Sequence, residues 1–511
     1  MSDEKNILIY ASHYEHINRG CMEDILRRFN GFNIRLTLLV CNNSHRLCYL
    51  NQCLSNSGES FYDYHLEACK VCLCNQLVFK KYADQLGIVC GTIFLDEAES
   101  NNQLSPELVD LVHFCLPQIS DPFLFDRLNS NPSIVSACHV FCDSVDNFLS
   151  LLRGVLGELA SIRRDTSYLE LWTDRILIKL SSLFPVYNLL LKSFDFARFD
   201  YCYIFNGRFL VGKTLSLLCH QFNVPWSSFE GSFEWGPLAT KYKLVDQGSM
   251  QNFTARSNTL YRYSSDNQTP DSRHLSVING CRSLKDRIFR KKQSAGYRLF
   301  VDQNYGSKDV GSSFVLFLTT SLFEFYLTED FLEGCSSDQI GMLTQVICSL
   351  PAWQKLLIRE HPNSANSDYE FKRRMRETVS SMLPSHRYQF ITSEEHVDTY
   401  QLMRASSVVL GASSMALAES IFLSIPTYYL SYSIYSAYLP SRYCSWADAH
   451  ALRNRLIKPI PPTIDEIRAV CRYFTDYNEL FGSRPLASPL MRDLVPSRDV
   501  LLRCRHYNHL L

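Results

Sequence analysis

The sequence has no uninterrupted apolar stretch of about 18 residues, the length that a membrane-spanning helix needs. The N-terminal segment MSDEKNILIY carries acids where a secretion signal needs basic residues, and its apolar run is short. A charge excess is also missing, because 51 Lys and Arg face 52 Asp and Glu. Nucleic-acid binders typically show a basic excess. We therefore expect a cytoplasmic protein that binds no nucleic acid. A location at the inner face of the membrane is the alternative.

Internal repeats and low-complexity segments are missing too, and the remaining composition is that of a folded protein. Hydrophobic residues make up 46% of the chain and charged residues 20%. A chain of 511 residues is longer than a single hydrophobic core usually supports, so two domains are expected. Nineteen cysteines without a secretion signal predict mostly free, buried thiols in a reducing compartment.

Short apolar strands alternate with helical patterns along the chain, which predicts parallel α/β sheets. The predicted strands are 6–10, 34–40, 88–95, 201–205, 224–229, 314–319, 355–359, 387–391, 407–410 and 427–430. We predict an α/β protein with two Rossmann-like domains facing a cleft. The first domain covers 1–305 with a helical insertion at about 104–194, the second covers 306–475, and 476–511 is a tail.

The segment Ser407–Leu430 contains the clearest ligand-binding pattern. An apolar strand ends at Leu410 and is bounded by Gly411, and Ser413 and Ser414 then occupy the cap position of a predicted helix. Such a turn leaves free N–H groups at the positive end of the helix dipole, which favours an anion. Glu419 in that helix is expected to accept hydrogen bonds from ribose hydroxyls if the turn faces a nucleotide. An ordinary capped helix would show the same pattern. The choice between an anion site and an ordinary helix start therefore depends on the neighbouring strands.

Two further predicted strands end in polar residues. The strand at 355–359 is followed by His361 and by Pro362, which cannot donate to a sheet ladder. The strand at 314–319 runs into the hydroxyl-bearing sequence TTS. Because ligands bind at the carboxyl ends of strands in open α/β sheets, these residues are expected to share one rim. The predicted binding residues are Thr320, Ser321, Arg359, His361, Pro362, Asn363, Gly411, Ser413, Ser414 and Glu419.

Three other segments each fit a functional and a purely structural explanation. Gly207–Thr214, GRFLVGKT, matches the P-loop pattern, but its bulky residues argue against a phosphate loop. Six cysteines in Cys41–Cys74 have spacings that suit zinc, yet cysteine is also a common core residue. We expect that the cysteine cluster binds no metal. A zinc site is the alternative. The basic tract at 282–298 is expected to be solvated surface, with attraction to anionic lipid head groups as the alternative.

Glu230 is a candidate general base, because a carboxylate at a strand end before a glycine suits a cleft. An ordinary exposed turn would also contain such residues, and Glu234 is the nearest competitor.

The chain contains five short motifs, YIFNGR at 203–208, FEG at 229–231, VLFLTTSLFE at 315–324, IREHPN at 358–363 and TYQLMRASSVVLGASSMALAES at 399–420. As an ordered set, these motifs and their spacing resemble those of bacterial capsule and surface-polysaccharide glycosyltransferases of the GT-B fold. The resemblance covers about 201–430. It implies that the second domain binds a nucleotide sugar without a metal or other cofactor.

The resemblance also assigns roles to individual residues. It implies that the His361-Pro362 motif and the serine pair contact the donor phosphate, and that Glu230 is the base. Two departures from the pattern occur. Ser424 stands where a glycine is usual, and the residue that relatives often carry between Glu230 and Gly231 is missing.

The expected function is transfer of a sugar from a nucleotide-sugar donor to a surface or capsular glycan, free or lipid-linked, with peripheral membrane association left open. Two alternatives remain open. A sugar-nucleotide epimerase has the same architecture, and a non-catalytic GT-B-like scaffold would keep the fold without turnover.

Overall fold

The structure is a computed structural model. It describes residues 4–10, 19–40, 76–94, 105–119, 121, 123–163, 173–192, 195–207, 210–231, 242–246, 256–257, 259–260, 276–285, 288, 314–321, 338–364, 368–395, 397–433 and 435–481.

Six strands form the first sheet, in the order β3-β2-β1-β4-β5-β6. They are β1 Glu4–Tyr10, β2 Asn33–Val40, β3 Val89–Phe94, β4 Tyr201–Phe205, β5 Trp226–Gly231 and β6 Tyr242–Asp246. Neighbouring strands are parallel except for β5 and β6. The central strand β4 is a continuous apolar run, and β1 ends in the buried apolar run Ile7–Tyr10, which suits strands that are buried on both faces.

Five strands form the second sheet, in the order β11-β10-β7-β8-β9, and all neighbours are parallel. They are β7 Phe314–Leu318, β8 Lys355–Arg359, β9 Tyr388–Ile391, β10 Val408–Gly411 and β11 Thr427–Tyr429. The central strand β7 is buried at every residue. Both sheets have the strand order of a Rossmann fold, starting at the centre and growing first to one side and then to the other. The predicted α/β class with two Rossmann-like domains is confirmed.

Helices connect the strands, because parallel neighbours need crossover connections. Along the first half they are Arg19–Arg28, 76–85, Pro106–Cys115, Leu124–Asn129, Pro132–Phe141, Val145–Arg163, Thr173–Lys192 and Leu210–Gln221. Along the second half they are 276–285, Gln339–Ser349, Tyr369–Met382, Thr399–Ala405, Met415–Phe422, Ala449–Ile457 and Ile464–Phe481.

The predicted helical insertion lies between β3 and β4, where the described residues form five α-helices. The two longest, Val145–Arg163 and Thr173–Lys192, are joined by a buried ion pair. Lys179 Nζ lies 3.0 Å from Glu158 Oε1, and the two side chains are 10% and 2% exposed.

The described residues divide into two compact units, the first made of those in 4–162 and 173–246 and the second of those in 256–480. The sequence pattern instead predicts that the first domain extends to residue 305. The helix at 276–285 accounts for the difference, because it crosses the last helix of the second unit closely. A Cβ on Gly280 would lie 1.8 Å from the Cys471 carbonyl oxygen. The last helix, Ile464–Phe481, also continues beyond residue 475, where the tail was predicted to begin.

One strand, β6, was not predicted from the sequence. Its segment YKLVD is short and borders a polar stretch, yet Leu244 and Val245 are buried. Pairing with β6 extends β5 to Gly231, whereas the sequence predicts an end at Phe229.

Candidate functional site

The carboxyl ends of the second sheet bring the predicted binding segments together. The chain places β8 on one side of β7 and β10 on the other. Ligands of open α/β sheets bind where the strand order reverses in this way. Thr320 and Ser321 follow β7, His361 follows β8, and Ser413 and Ser414 follow β10. We call these five residues the rim.

Gly411 is the last residue of β10, and it allows β10 to lie close to β7. A Cβ at this position would lie 2.8 Å from the Leu318 carbonyl oxygen. Any larger residue would push the two strand ends apart, so Gly411 sets the spacing of the rim.

The turn after β10 leads into a helix that starts at Met415, and Ser414 is its N-cap. The Ser414 hydroxyl accepts the Ala416 N–H at 3.3 Å, and the Ser414 carbonyl accepts the Leu417 N–H at 2.9 Å. Among the described residues, the N–H groups of Ser413, Ser414 and Met415 have no hydrogen-bond partner. Free N–H groups at the positive end of a helix dipole attract an anion.

Thr320 is held by a buried glutamine that the sequence analysis missed. Gln339 is 2% exposed. Its Oε1 accepts the Thr320 N–H at 2.9 Å, and its Nε2 donates to the Thr320 carbonyl at 3.0 Å. The Thr320 hydroxyl donates to the Ser413 carbonyl at 3.5 Å, which ties the end of β7 to the end of β10.

His361 is fixed at both its backbone and its ring. Its N–H donates to Thr319 Oγ1 at 2.9 Å, and its Nδ1 lies 2.9 Å from Ser321 Oγ. Ser321 is almost fully buried and His361 is half-buried. In the neutral ring, an Nδ1 that accepts from the hydroxyl leaves the ring proton on Nε2, which can then donate to a ligand oxygen.

The residues after His361 turn sharply. Pro362 is exposed and starts the short helical turn Pro362–Ser364. The Ser364 N–H and hydroxyl both donate to the His361 carbonyl, at 2.9 and 2.7 Å. The backbone of Asn363 lies in this turn, and its side chain lies outside the described part of the chain.

Arg359 was predicted at the donor site, and its guanidinium makes contacts inside the fold. The side chain is 5% exposed. It donates to the Thr392 carbonyl and, at 3.2 Å, to the Glu395 carbonyl. These bonds join the segment after β9 to the end of β8. A contact between Arg359 and a donor stays a prediction.

Glu419 has no exposed surface. Its Oε2 accepts the Tyr400 hydroxyl at 2.7 Å, which supplies a donor that a buried carboxylate needs. The contact with ribose hydroxyls that the sequence predicts for Glu419 stays a prediction.

Tyr435 reaches the serine turn from the segment after β11. Its hydroxyl donates to the Ser414 carbonyl at 2.9 Å. Burial raises the pKa of Tyr435, so its hydroxyl stays a proton donor at ordinary pH. No sequence signal separates Tyr435 from the other 27 tyrosines, because its contact is made across the fold.

In the first unit, Glu230 lies within β5, where its backbone pairs with Lys243 of β6. The side chain of Glu230 and the whole of Glu234 lie outside the described residues. The role of Glu230 as the base therefore stays a prediction.

The described residues of the P-loop match at Gly207–Thr214 do not form a phosphate loop. The helix already starts at Leu210, so Gly212 and Lys213 are helical. A Cβ on Gly212 would lie 2.9 Å from the Phe205 carbonyl oxygen, so this glycine allows close packing of the helix on β4. A P-loop instead wraps phosphates with the residues that precede its helix.

In the described part of the chain, no three His, Cys, Asp or Glu side chains gather as a metal site. The cluster Cys41–Cys74 lies outside that part. The eleven described cysteines are free thiols, and eight of them are buried. Of the helices within the described ranges, none combines the length and the apolarity that crossing a bilayer requires.

Comparisons with known proteins found similarity among solved structures. No family model and no curated protein matches the chain. KpsC of Thermosulfurimonas dismutans, a beta Kdo 2,4 transferase, is 13% identical over 58% of this chain and 88% of that chain, with a TM-score of 0.33. UDP-GlcNAc 2-epimerase of Neisseria meningitidis bound to UDP-GlcNAc is 12% identical over 89% and 91%, with a TM-score of 0.23. HepE of Anabaena in complex with UDP-glucose is 9% identical over 93% and 95%, with a TM-score of 0.28. Similarities this distant carry no inference about activity.

Proposed function

We propose that the chain is a metal-independent GT-B-like glycosyltransferase, which moves a sugar from a nucleotide-sugar donor to a surface or capsular glycan at the inner face of the membrane. The observation that carries the proposal is the rim of the second unit. Three neighbouring strands end there in hydroxyl and imidazole groups, beside free N–H groups at a helix start. This combination suits an anionic phosphate that sits between two neutral, hydroxyl-rich groups.

The donor phosphate accepts hydrogen bonds from the free N–H groups of Ser414 and Met415 and from His361 Nε2. These hydrogen bonds strengthen as the bond between the anomeric carbon and the phosphate oxygen breaks, because negative charge develops on the departing oxygen. The acceptor hydroxyl forms the new bond to the anomeric carbon. Its proton passes to the Glu230 carboxylate, and the nucleotide leaves with its phosphate.

A thermal-unfolding panel of UDP-, GDP- and CMP-sugars tests the proposal. A ligand that binds only the native state stabilises it by about 2.7 kcal/mol at 100 times its Kd, so the correct donor class should raise Tm. If all three classes leave Tm unchanged, the proposal is wrong.

The donor that raises Tm then separates a transferase from an epimerase. Incubated alone with the protein, it should keep its sugar configuration, and the nucleotide should be released only when a glycan acceptor is added. Conversion of the sugar without an acceptor would identify an epimerase, and binding without any turnover would identify a scaffold.

A further inference from the structure

The Ser414 carbonyl accepts two hydrogen bonds, one from each side of the turn. The Leu417 N–H donates to it at 2.9 Å from within the helix, and the Tyr435 hydroxyl donates at 2.9 Å from the segment after β11. A carbonyl oxygen has two lone pairs, so both donors are accommodated.

The second of these bonds fixes the direction of a backbone N–H group at the start of the helix. The Ser414 carbonyl and the Met415 N–H belong to one planar peptide unit. Holding the carbonyl therefore also sets the direction of the Met415 N–H, which has no partner among the described residues.

Tyr435 is itself held rigidly. Its ring is 1% exposed and contacts the rings of Tyr429 and Tyr473 edge to face, with centroids 5.4 and 5.9 Å apart. Tyr473 lies on the last helix, and its hydroxyl reaches the Met415 sulfur at 3.2 Å. Two buried tyrosines thus hold the start of this helix, Tyr435 at the Ser414 carbonyl and Tyr473 at the Met415 side chain.

We propose that Tyr435 is a positioning residue, which aims the Met415 N–H at an anionic phosphate bound at the rim. This inference rests on the proposed function for the identity of the ligand. The anion site itself can be tested without it, with inorganic phosphate as the probe.

The experiment compares the full chain with Tyr435→Phe, which removes only the hydroxyl and keeps the buried ring. The apparent Kd for inorganic phosphate is obtained from the dependence of Tm on phosphate concentration at constant ionic strength. We expect phosphate to raise the Tm of the wild type. In Tyr435→Phe the Kd should rise about five-fold, the effect of losing one ordinary hydrogen bond.

Tyr428→Phe is the matched control. Tyr428 is also 1% exposed, and its hydroxyl accepts the Ile460 N–H at 3.0 Å, away from the turn. This variant should lose a similar amount of stability and keep the phosphate Kd of the wild type. Equal phosphate affinity in Tyr435→Phe and wild type, or equal losses in both variants, would overturn the inference.

The failures of the inference and of the proposed function are distinguishable. If phosphate binds and Tyr435→Phe weakens it while no nucleotide sugar binds, the positioning role holds and the proposed donor is wrong. If nucleotide sugars bind and Tyr435→Phe binds phosphate normally, only the positioning role is wrong. A wild-type Tm that phosphate does not raise contradicts the anion site altogether.

Discussion

Ser321 and His361 join the ends of β7 and β8 through a hydrogen bond of 2.9 Å between Oγ and Nδ1. The two residues follow different strands and are 40 positions apart in the chain. The bond restrains the imidazole ring and, with Ser321 as donor, leaves the ring proton on Nε2.

Ser321→Ala should therefore weaken donor binding, because the His361 ring loses its orienting partner. We expect the donor Kd to rise about three- to ten-fold, measured by calorimetry. Ser349→Ala is the control. Ser349 is buried like Ser321, and its hydroxyl donates to the Ala449 carbonyl, away from the rim. Wild-type affinity in Ser321→Ala would show that the ring needs no such partner.

Gln339→Leu should both destabilise the second unit and reduce donor affinity, because it removes two bonds to the Thr320 backbone. A loss of about 1–3 kcal/mol in the free energy of unfolding is expected, measured with urea. Gln354→Leu removes a comparable buried bond to the Leu456 carbonyl and should destabilise without changing donor affinity. A donor affinity that falls equally in both variants would point to a general effect of instability.

Glu466 is expected to contribute to the free energy of unfolding, and this contribution should be lost in acid. Burial raises its pKa, but hydrogen bonds from Arg442, Ser441 and the Thr463 N–H outweigh burial and lower the pKa to about 2. A carboxyl whose folded pKa lies below its unfolded value of 4.5 stabilises the fold above that value. This stabilisation disappears as the pH falls from about 4.5 to about 2.

Glu466→Gln should thus lower the free energy of unfolding by roughly 3 kcal/mol at pH 7 and by much less near pH 2. Urea unfolding at several pH values measures the difference. Asp465→Asn is the control, because Asp465 is 84% exposed and its pair with Arg468 lies at the surface. A Glu466→Gln effect that does not change with pH would contradict this account of Glu466.

Glu230→Gln should keep donor affinity and lose turnover by ~10²–10⁴, the usual contribution of a general base. The amide keeps the size of the side chain and removes its basicity. Sugar transfer is measured with the donor class found by the Tm panel. Normal transfer by Glu230→Gln together with an inactive Glu234→Gln would show that Glu234 is the base.

Much of the fold could be predicted from local sequence patterns. Ten of the eleven strands fall within two residues of their predicted bounds, because buried parallel strands are short apolar runs between polar turns. The end of β5 also depends on β6, whose pairing is a long-range contact with a weak local pattern. The boundary between the units depends on the crossing at Gly280 and Cys471, which are far apart in the chain.

The residues of the rim could be predicted from the sequence, but the buried residues that hold them in place could not. Strand ends and a capped helix are local signals, so His361 and Ser414 were found from the sequence. Gln339 and Tyr435 support the rim through contacts that depend on the folded chain, and nothing in their local sequence marks them.

The central claim is that a donor phosphate binds at the rim, and calorimetry of nucleotide-sugar binding to His361→Ala and Ser414→Ala tests it most directly. His450→Ala is the matched control, because His450 is exposed on the helix Ala449–Ile457, away from the rim. A hydrogen bond to a charged group contributes ~1.5–3 kcal/mol, so the Kd in His361→Ala should rise by about 10- to 100-fold. His450→Ala should bind like the wild type. Unchanged donor affinity in both His361→Ala and Ser414→Ala would place the phosphate elsewhere and contradict the account.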